Sequence, residues 1–262
     1  GVHADIMLAN SPTLVDGAYY TVRFSGSDMA GNAAVNVDNT NVKYDVTPPV
    51  FTVAVPVNDT SVRTNNLTYT LSEALSSGTI TWTRTGGATD PNSPHVKALV
   101  GTEKTAGLKN NIVLANSPDL VPGAIYTLTF EGNDLGGLPA TPVVLTNVLF
   151  DNQPPVISGT SPITNAYVNH TKVSYTLSEK MGVMNIRWTW SGGAADASSP
   201  HTMALTGIEL DAGVHSDIIL TNNPPLVNGA RYTVQFFGSD LAGNAATTVT
   251  NGGIWYDLTA PT

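Results

Sequence analysis

Six carboxylates fall into two sets of three: Asp45, Glu73 and Asp134, then Asp151, Glu179 and Asp240, each displaced by 106 residues from its counterpart. The chain has no cysteine, so neither disulfides nor thiolate metal sites can hold the fold. Calcium accepts six to eight oxygens, and three carboxylates with backbone carbonyls and water supply such a shell. Two carboxylates about 6 Å apart repel by roughly 3 kcal/mol at an effective dielectric near 20, so three held together without a counter-ion strain their surroundings. No basic residue recurs with the acids: Lys43 precedes Asp45 in one set, whereas Lys180 follows Glu179 in the other. The competing reading makes Asp45 and Asp134 turn formers, bonded to their own backbone, and Glu73 an exposed strand end.

The carboxylates are far apart in sequence, so the fold must bring them together, and the fold is announced by repetition. GSDMAGN, containing Asp28, returns as GNDLGGL with Asp134 and GSDLAGN with Asp240. LSE returns at Glu73 and Glu179, tryptophan at Trp82 and Trp188, and SPH at His95 and His201. Residues 1–45 match only the last part of a repeat, 46–151 and 152–257 are complete repeats, and 258–262 begin another. Both ends are expected to continue into a longer array. Within a repeat, Leu67, Tyr69 and Leu71 alternate with polar residues, as do Ile80 with Trp82 and Tyr126 with Leu128 and Phe130, which is the period of half-buried strands. Gly, Pro, Asn and Asp cluster between these runs, and no stretch has helical period. Seven short strands in about 106 residues predict an all-β fold of tandem Ig-like antiparallel β-sandwiches. In such a sandwich the start of the first strand, the loop after the second strand and the turn between the last two share one pole, so each carboxylate set is expected at the seam with the preceding repeat.

LVDGAYYTV, LVPGAIYTL and LVNGARYTV resemble the tyrosine corner that opens the penultimate strand of fibronectin type III and Ig-like domains. Together with the openings DVTPP, DNQPP and DLTAP, with LSE and with D-x-A-G-N, the chain is similar to the bacterial Ig-like repeats of very large surface proteins and adhesins. That resemblance implies stalks, extenders or adhesive arms, some with cadherin-like calcium ions at domain junctions. The middle repeat departs from the pattern, with Leu138 where the others have Asn32 and Asn244, and with Asn152 and Gln153 where the first linker has Val46 and Thr47.

Composition agrees with an extracellular or cell-surface setting: 12% of residues are charged, where an ordinary domain has about a quarter. A net charge of -9 opposes nucleic acids and anionic membranes, and no run reaches the length of a membrane-spanning segment, so neither nucleic acid nor direct membrane insertion is expected. The expected partners are the neighbouring repeats of the chain, with self-association or a surface glycan or protein as further possibilities.

No motif of nucleophilic, zinc-dependent or nucleotide-dependent catalysis is present, and residues demanded in every repeat answer a structural need, so no enzyme is expected. His95 and His201 read as loop or strand-edge residues, and Asp90, Asp196, Glu103 and Glu209 as solvated turns. His3 and His215 correspond to Lys109, and Lys43 to Leu149 and Trp255, which excludes a histidine site or a lysine cross-link common to the repeats. Asp90 precedes Pro91, but Asp196 precedes Ala197, so a labile Asp-Pro bond does not generalise. Two alternatives remain. A carbohydrate- or receptor-binding module needs an exposed aromatic unique to one repeat, for which Trp190, in the place of Arg84, and Trp255 are the candidates. An accessory module of a secreted hydrolase differs only in its flanking sequence. Residues 1–45 are too few to bury two faces of a sandwich. They are expected to pair with another chain, to pack on the following repeat, or to belong to a longer filament.

Overall fold

The structure, a computed structural model, describes residues 2–260. The alternating runs form strands with one buried face. In the middle repeat β3 (Phe51–Val55), β5 (Leu67–Leu71) and β8 (Gly107–Ile112) make a three-stranded sheet in the order β3-β5-β8. Facing it are β4 (Ser61–Val62), β6 (Leu75–Gly87), β7 (His95–Ala98), β9 (Ala124–Asp134) and β10 (Val143–Phe150), in the order β4-β10-β9-β6-β7. Every pair is antiparallel except β4 with β10. The next repeat reproduces each element 106 residues later: β11 (Ile157–Ser161), β12 (Tyr167–Val168), β13 (Val173–Leu177), β14 (Met181–Gly193), β15 (His201–Ala204), β16 (Gly213–Ile218), β17 (Ala230–Asp240) and β18 (Val249–Tyr256). Each repeat therefore has eight strands, not seven, because the first strand breaks at a proline-containing bend and its second piece crosses to the other sheet.

The predicted stripes are the cores. Leu67, Tyr69, Leu71, Ile80, Trp82, Tyr126, Leu128 and Phe130 are essentially inaccessible, as are Tyr175, Ile186, Trp188, Tyr232, Val234 and Phe236 one repeat later. Trp82 meets Tyr126 edge-on with ring centroids 6.0 Å apart, and Trp188 meets Tyr232 in the same way at 6.0 Å. Truncating such a buried tryptophan costs about 3–5 kcal/mol. The tyrosine corner forms as its sequence implied: the hydroxyls of Tyr20, Tyr126 and Tyr232 accept the N–H of Val15, Val121 and Val227 at 2.8, 3.0 and 2.9 Å.

Residues ahead of the middle repeat form one hairpin, β1 (Tyr19–Phe24) paired with β2 (Val37–Lys43). Val22 and Phe24 occupy the places of the buried Leu128 and Phe130, yet remain 40% and 59% exposed. The following repeat does not cover Val22 and Phe24, whereas Tyr19 and Lys43 of the same hairpin border its Glu73 and Gly136. Of the segment 258–262, residues 261–262 lie outside the described residues.

Candidate metal centres at the repeat junctions

Each linker carboxylate opens a turn. Asp45 accepts the N–H of Thr47 at 3.3 Å and Asp151 that of Gln153 at 3.0 Å, each through Oδ1. Asp134 and Asp240 close β9 and β17, and their Oδ1 atoms accept the N–H of Leu138 at 2.8 Å and of Asn244 at 2.9 Å. Gly137 and Gly243 make the turn at φ +90° and +86°, a region other residues rarely adopt, which explains the glycine of D-x-A-G-N. The turn-forming reading of these aspartates is therefore correct for one oxygen of each. Of their other oxygens, Asp45 Oδ2 is paired with Lys43 and Asp240 Oδ2 accepts from Asn244, and Glu73 and Glu179 follow just beyond β5 and β13.

The structure brings the two predicted sets together. Asp45, Glu73 and Asp134 each offer an oxygen, all within 4.8 Å of one another, and Asp151, Glu179 and Asp240 do the same. Each set draws on the linker, the loop after the second long strand of the small sheet, and the final turn. Burial pushes the Glu73 carboxyl up, with the charges of Asp45 and Asp134 adding to it. Burial likewise raises Glu179, followed by Asp151 and Asp240, and a hydrogen bond with Asp151 adds to the shift. Glu179 thus feels negative charge with no cation to offset it, whereas Lys43 partly offsets the rise at Glu73. Asp134 Oδ2 is buried, on a side chain with 0% exposure, and has no hydrogen-bond partner among the described residues. A buried carboxylate oxygen without a partner costs about 1–3 kcal/mol or more, and a hard cation at the seam would satisfy it. The donor set therefore fits calcium.

The two junctions differ in detail. At the first, Lys43 Nζ lies 2.6 Å from Asp45 Oδ2, and an open cleft of about 460 Å³ lined by Tyr19, Lys43, Glu73 and Gly136 leads to it. The linker is fastened backwards as well, since Asp16 accepts the N–H of Val46 at 2.9 Å and the hydroxyl of Thr47. At the second, Pro122 stands where Asp16 stood. The Asn244 amide instead donates to Asp240 Oδ2 and to the Asp151 carbonyl, both at 2.8 Å, and Arg63 Nη1 donates to the Gly243 carbonyl at 3.0 Å.

Away from the seams four acids read as solvated turns are corrected. Asp90 and Asp196 are 6% and 8% exposed. Asp90 Oδ2 accepts from His95 Nε2 and Tyr126 Oη, both at 2.6 Å, and Asn92 N–H reaches Oδ1 at 3.0 Å. Asp196 repeats this with His201 and Tyr232 at 2.6 and 2.7 Å. His95 and His201, read as loop or strand-edge residues, open β7 and β15 but are buried. Burial pushes the Asp90 carboxyl up, but bonds from Tyr126, His95 and Asn92 outweigh it and leave the carboxyl below its usual range; Asp196 is lowered in the same way. The Tyr126 hydroxyl is pushed up to about 12 by burial, with Asp90 adding to the shift. Each network locks the tyrosine corner to the far edge of the sheet. Glu103 accepts the N–H of Val100 and Ala115 at 2.8 and 2.6 Å, and Glu209 accepts from Thr206 and Thr221, so both organise the loop around a short 3-10 turn. The signal for the Asp–His–Tyr network was present, because all three residues recur at one offset.

Residues 151–256 match the family model described as a bacterial Ig-like domain. No curated protein matches the chain. Among solved structures it is similar to the FN1–FN3 domains of chicken CNTN1, at 11% identity over 92% of this chain and 77% of that one, with a TM-score of 0.40. It is also similar to the fibronectin(III)-like modules of Clostridium thermocellum CbhA, at 14% identity over 81% and 98%, with a TM-score of 0.35. The two sandwiches share one strand order at one offset, and the second of them, residues 151–256, matches the bacterial Ig-like domain family.

Proposed function

We propose that the chain is a structural spacer of an extracellular or cell-surface protein, carrying an adhesive or enzymatic part at a distance and stiffened by calcium at its junctions. The observation that carries this reading is the position of the carboxylate sets: at both seams the linker itself supplies one carboxylate and the following sandwich the other two. An ion bound there ties the linker to the next domain and removes the repulsion among the three acids. The family match supports a structural or adhesive module, and among the described residues no helix is long and apolar enough to cross a membrane. Thermal melting of the full chain tests the calcium. At a free calcium concentration about a hundredfold above the dissociation constant, stability rises by about 2.7 kcal/mol per site. Identical melts in calcium and in chelator overturn it.

One observation favours a second reading, a glycan-binding role for the last repeat. Trp190, one of the two sequence candidates, is 41% exposed, and its indole N–H donates to the Ala194 carbonyl at 2.9 Å, as the Arg84 guanidinium does to Ala88. The other candidate, Trp255, is half-buried beside a more exposed tyrosine. Tyr167, 76% exposed, is stacked with Trp255 at 6.2 Å and 8°, and Arg231 lies 5.6 Å from the indole centroid on its own strand. The middle repeat has Ser61, Leu149 and Ile125 at these places. Glycan-array binding lost on Trp255→Ala would support this reading, and an array without signal would sink it.

A further inference from the structure

We propose that Lys43 acts as a tethered cation in the first junction, so that the two calcium sites fill in order, the second before the first. The inference rests on the calcium reading above and concerns its regulation. The two carboxylate sets are matched in residue type, spacing and convergence. Their surroundings differ in charge: Asp16 and Lys43 flank the first, where Pro122 and Leu149 stand at the second, and Arg63 reaches the final turn at the second, but among the described residues Lys43 is the only cation paired with one of the clustered acids. Lys43 stands two residues before Asp45 and places its ammonium 2.6 Å from Asp45 Oδ2, the oxygen not used by the turn. Its counterpart before Asp151 is Leu149, which brings no charge. A metal entering the first site must displace the ammonium from Asp45, whereas a metal entering the second meets no cation on its carboxylates, only the neutral amide of Asn244 on Asp240 Oδ2.

The displacement is open sterically, because the Lys43 side chain is 43% exposed and can swing into solvent. Lysine suits a removable counter-ion, as a point charge on a flexible stem. What Lys43 leaves unsatisfied shows that it does not complete the site: Asp134 Oδ2, on the opposite wall, is buried without a partner among the described residues. The oxygen is orphaned because Leu138 occupies the place from which Asn244 donates to Asp240 Oδ2 in the second site. The first site thus combines a partial occupant on one wall with an unpaired oxygen on the other, the arrangement of a centre that keeps an appetite for a cation while being protected from scarce ones. Along the chain, stiffness would develop in two steps as calcium rises.

Calcium titration of the full chain by calorimetry tests this. The native chain is expected to show two classes of site, and Asp151→Asn with Glu179→Gln is expected to remove the tighter one. Lys43→Met raises the affinity of the weaker class by about three- to tenfold, the scale of a partly exposed ion pair together with the charge it removes. Lys43→Arg, which retains the charge, leaves two classes in the native order. A Lys43→Met chain whose first site is unchanged, or a native chain whose two sites are equal, overturns the role of Lys43 and leaves the calcium reading standing. Absence of calcium uptake by both the native chain and Lys43→Met overturns both.

Discussion

The first junction and the second carry the same three acids at the same spacing, yet each is held by different means. At the first, the linker is fixed to the preceding segment by Asp16, Lys43 neutralises part of the cluster, and Asp134 keeps an unpaired buried oxygen. At the second, Asn244 joins the cluster to the linker carbonyl, Arg63 reaches across from the preceding sandwich, and no lysine intrudes. What recurs in a repeat protein is therefore what every unit needs, namely the core and the acids. What varies is how firmly each seam is closed before any ion arrives.

The comparison is sharpest against a control in which the two repeats should behave alike. Asp90→Ala and Asp196→Ala each strip a buried carboxylate from a tyrosine hydroxyl and a histidine ring, and each is expected to cost about 2–4 kcal/mol by denaturant unfolding. The two losses should agree within about 0.5 kcal/mol when each repeat is followed separately by amide hydrogen exchange. The same carboxyls set the acid limit. Both lie below their unfolded-state value, so their contribution is complete above about pH 4 and is lost as pH falls through the folded-state value. A chain whose stability does not fall on acidification below pH 4, or falls equally in the alanine variants, would show that the networks do not matter.

The sandwiches and the carboxylate clusters were legible because they depend on periodicity. A spacing of 106 residues fixes equivalence, alternation fixes the buried face, and topology alone then places the linker, the loop at Glu73 and the turn at Asp134 at one pole. The Asp90 network was missed because its partners are defined by packing. Asp90 stands beside a proline in a turn-rich segment, and nothing local distinguishes it from a solvated turn, whereas the hydroxyl that buries it lies on β9, 36 residues on. The crossing of β4 to the second sheet was missed for a similar reason, since a two-residue strand carries no period. Trp190 reads as a surface feature and is 41% exposed, but its indole N–H also takes over the bond that the Arg84 guanidinium makes to the loop, which no local pattern announces.

Exchanging the variable residues should move one junction towards the other. Leu138→Asn supplies the amide that Asp134 Oδ2 lacks and is expected to stabilise the calcium-free middle repeat by about 1 kcal/mol. Asn244→Leu removes donors to both Asp240 and the Asp151 carbonyl, and is expected to destabilise the last repeat by about 1–3 kcal/mol in chelator, more than it does in calcium, where an ion satisfies the exposed oxygen. Equal losses with and without calcium would mean that Asn244 serves the turn and not the seam.

The smallest effect on stability belongs to Arg63, and it separates stability from stiffness. Its guanidinium spans from the middle sandwich to the Gly243 carbonyl at the tip of the final turn of the next, 180 residues away, and the contact is exposed. A charged hydrogen bond in contact with water contributes less than about 1 kcal/mol, so Arg63→Ala should leave the melting of either repeat within that range. The bond nevertheless acts at the seam, where a small restoring force over one flexible linker sets the spread of angles between domains. In chelator the variant is expected to broaden the distance distribution between spin labels on the two repeats, and calcium should narrow it again. If the distribution is the same for the variant and the native chain in chelator, the linker and Asn244 hold the second junction without Arg63.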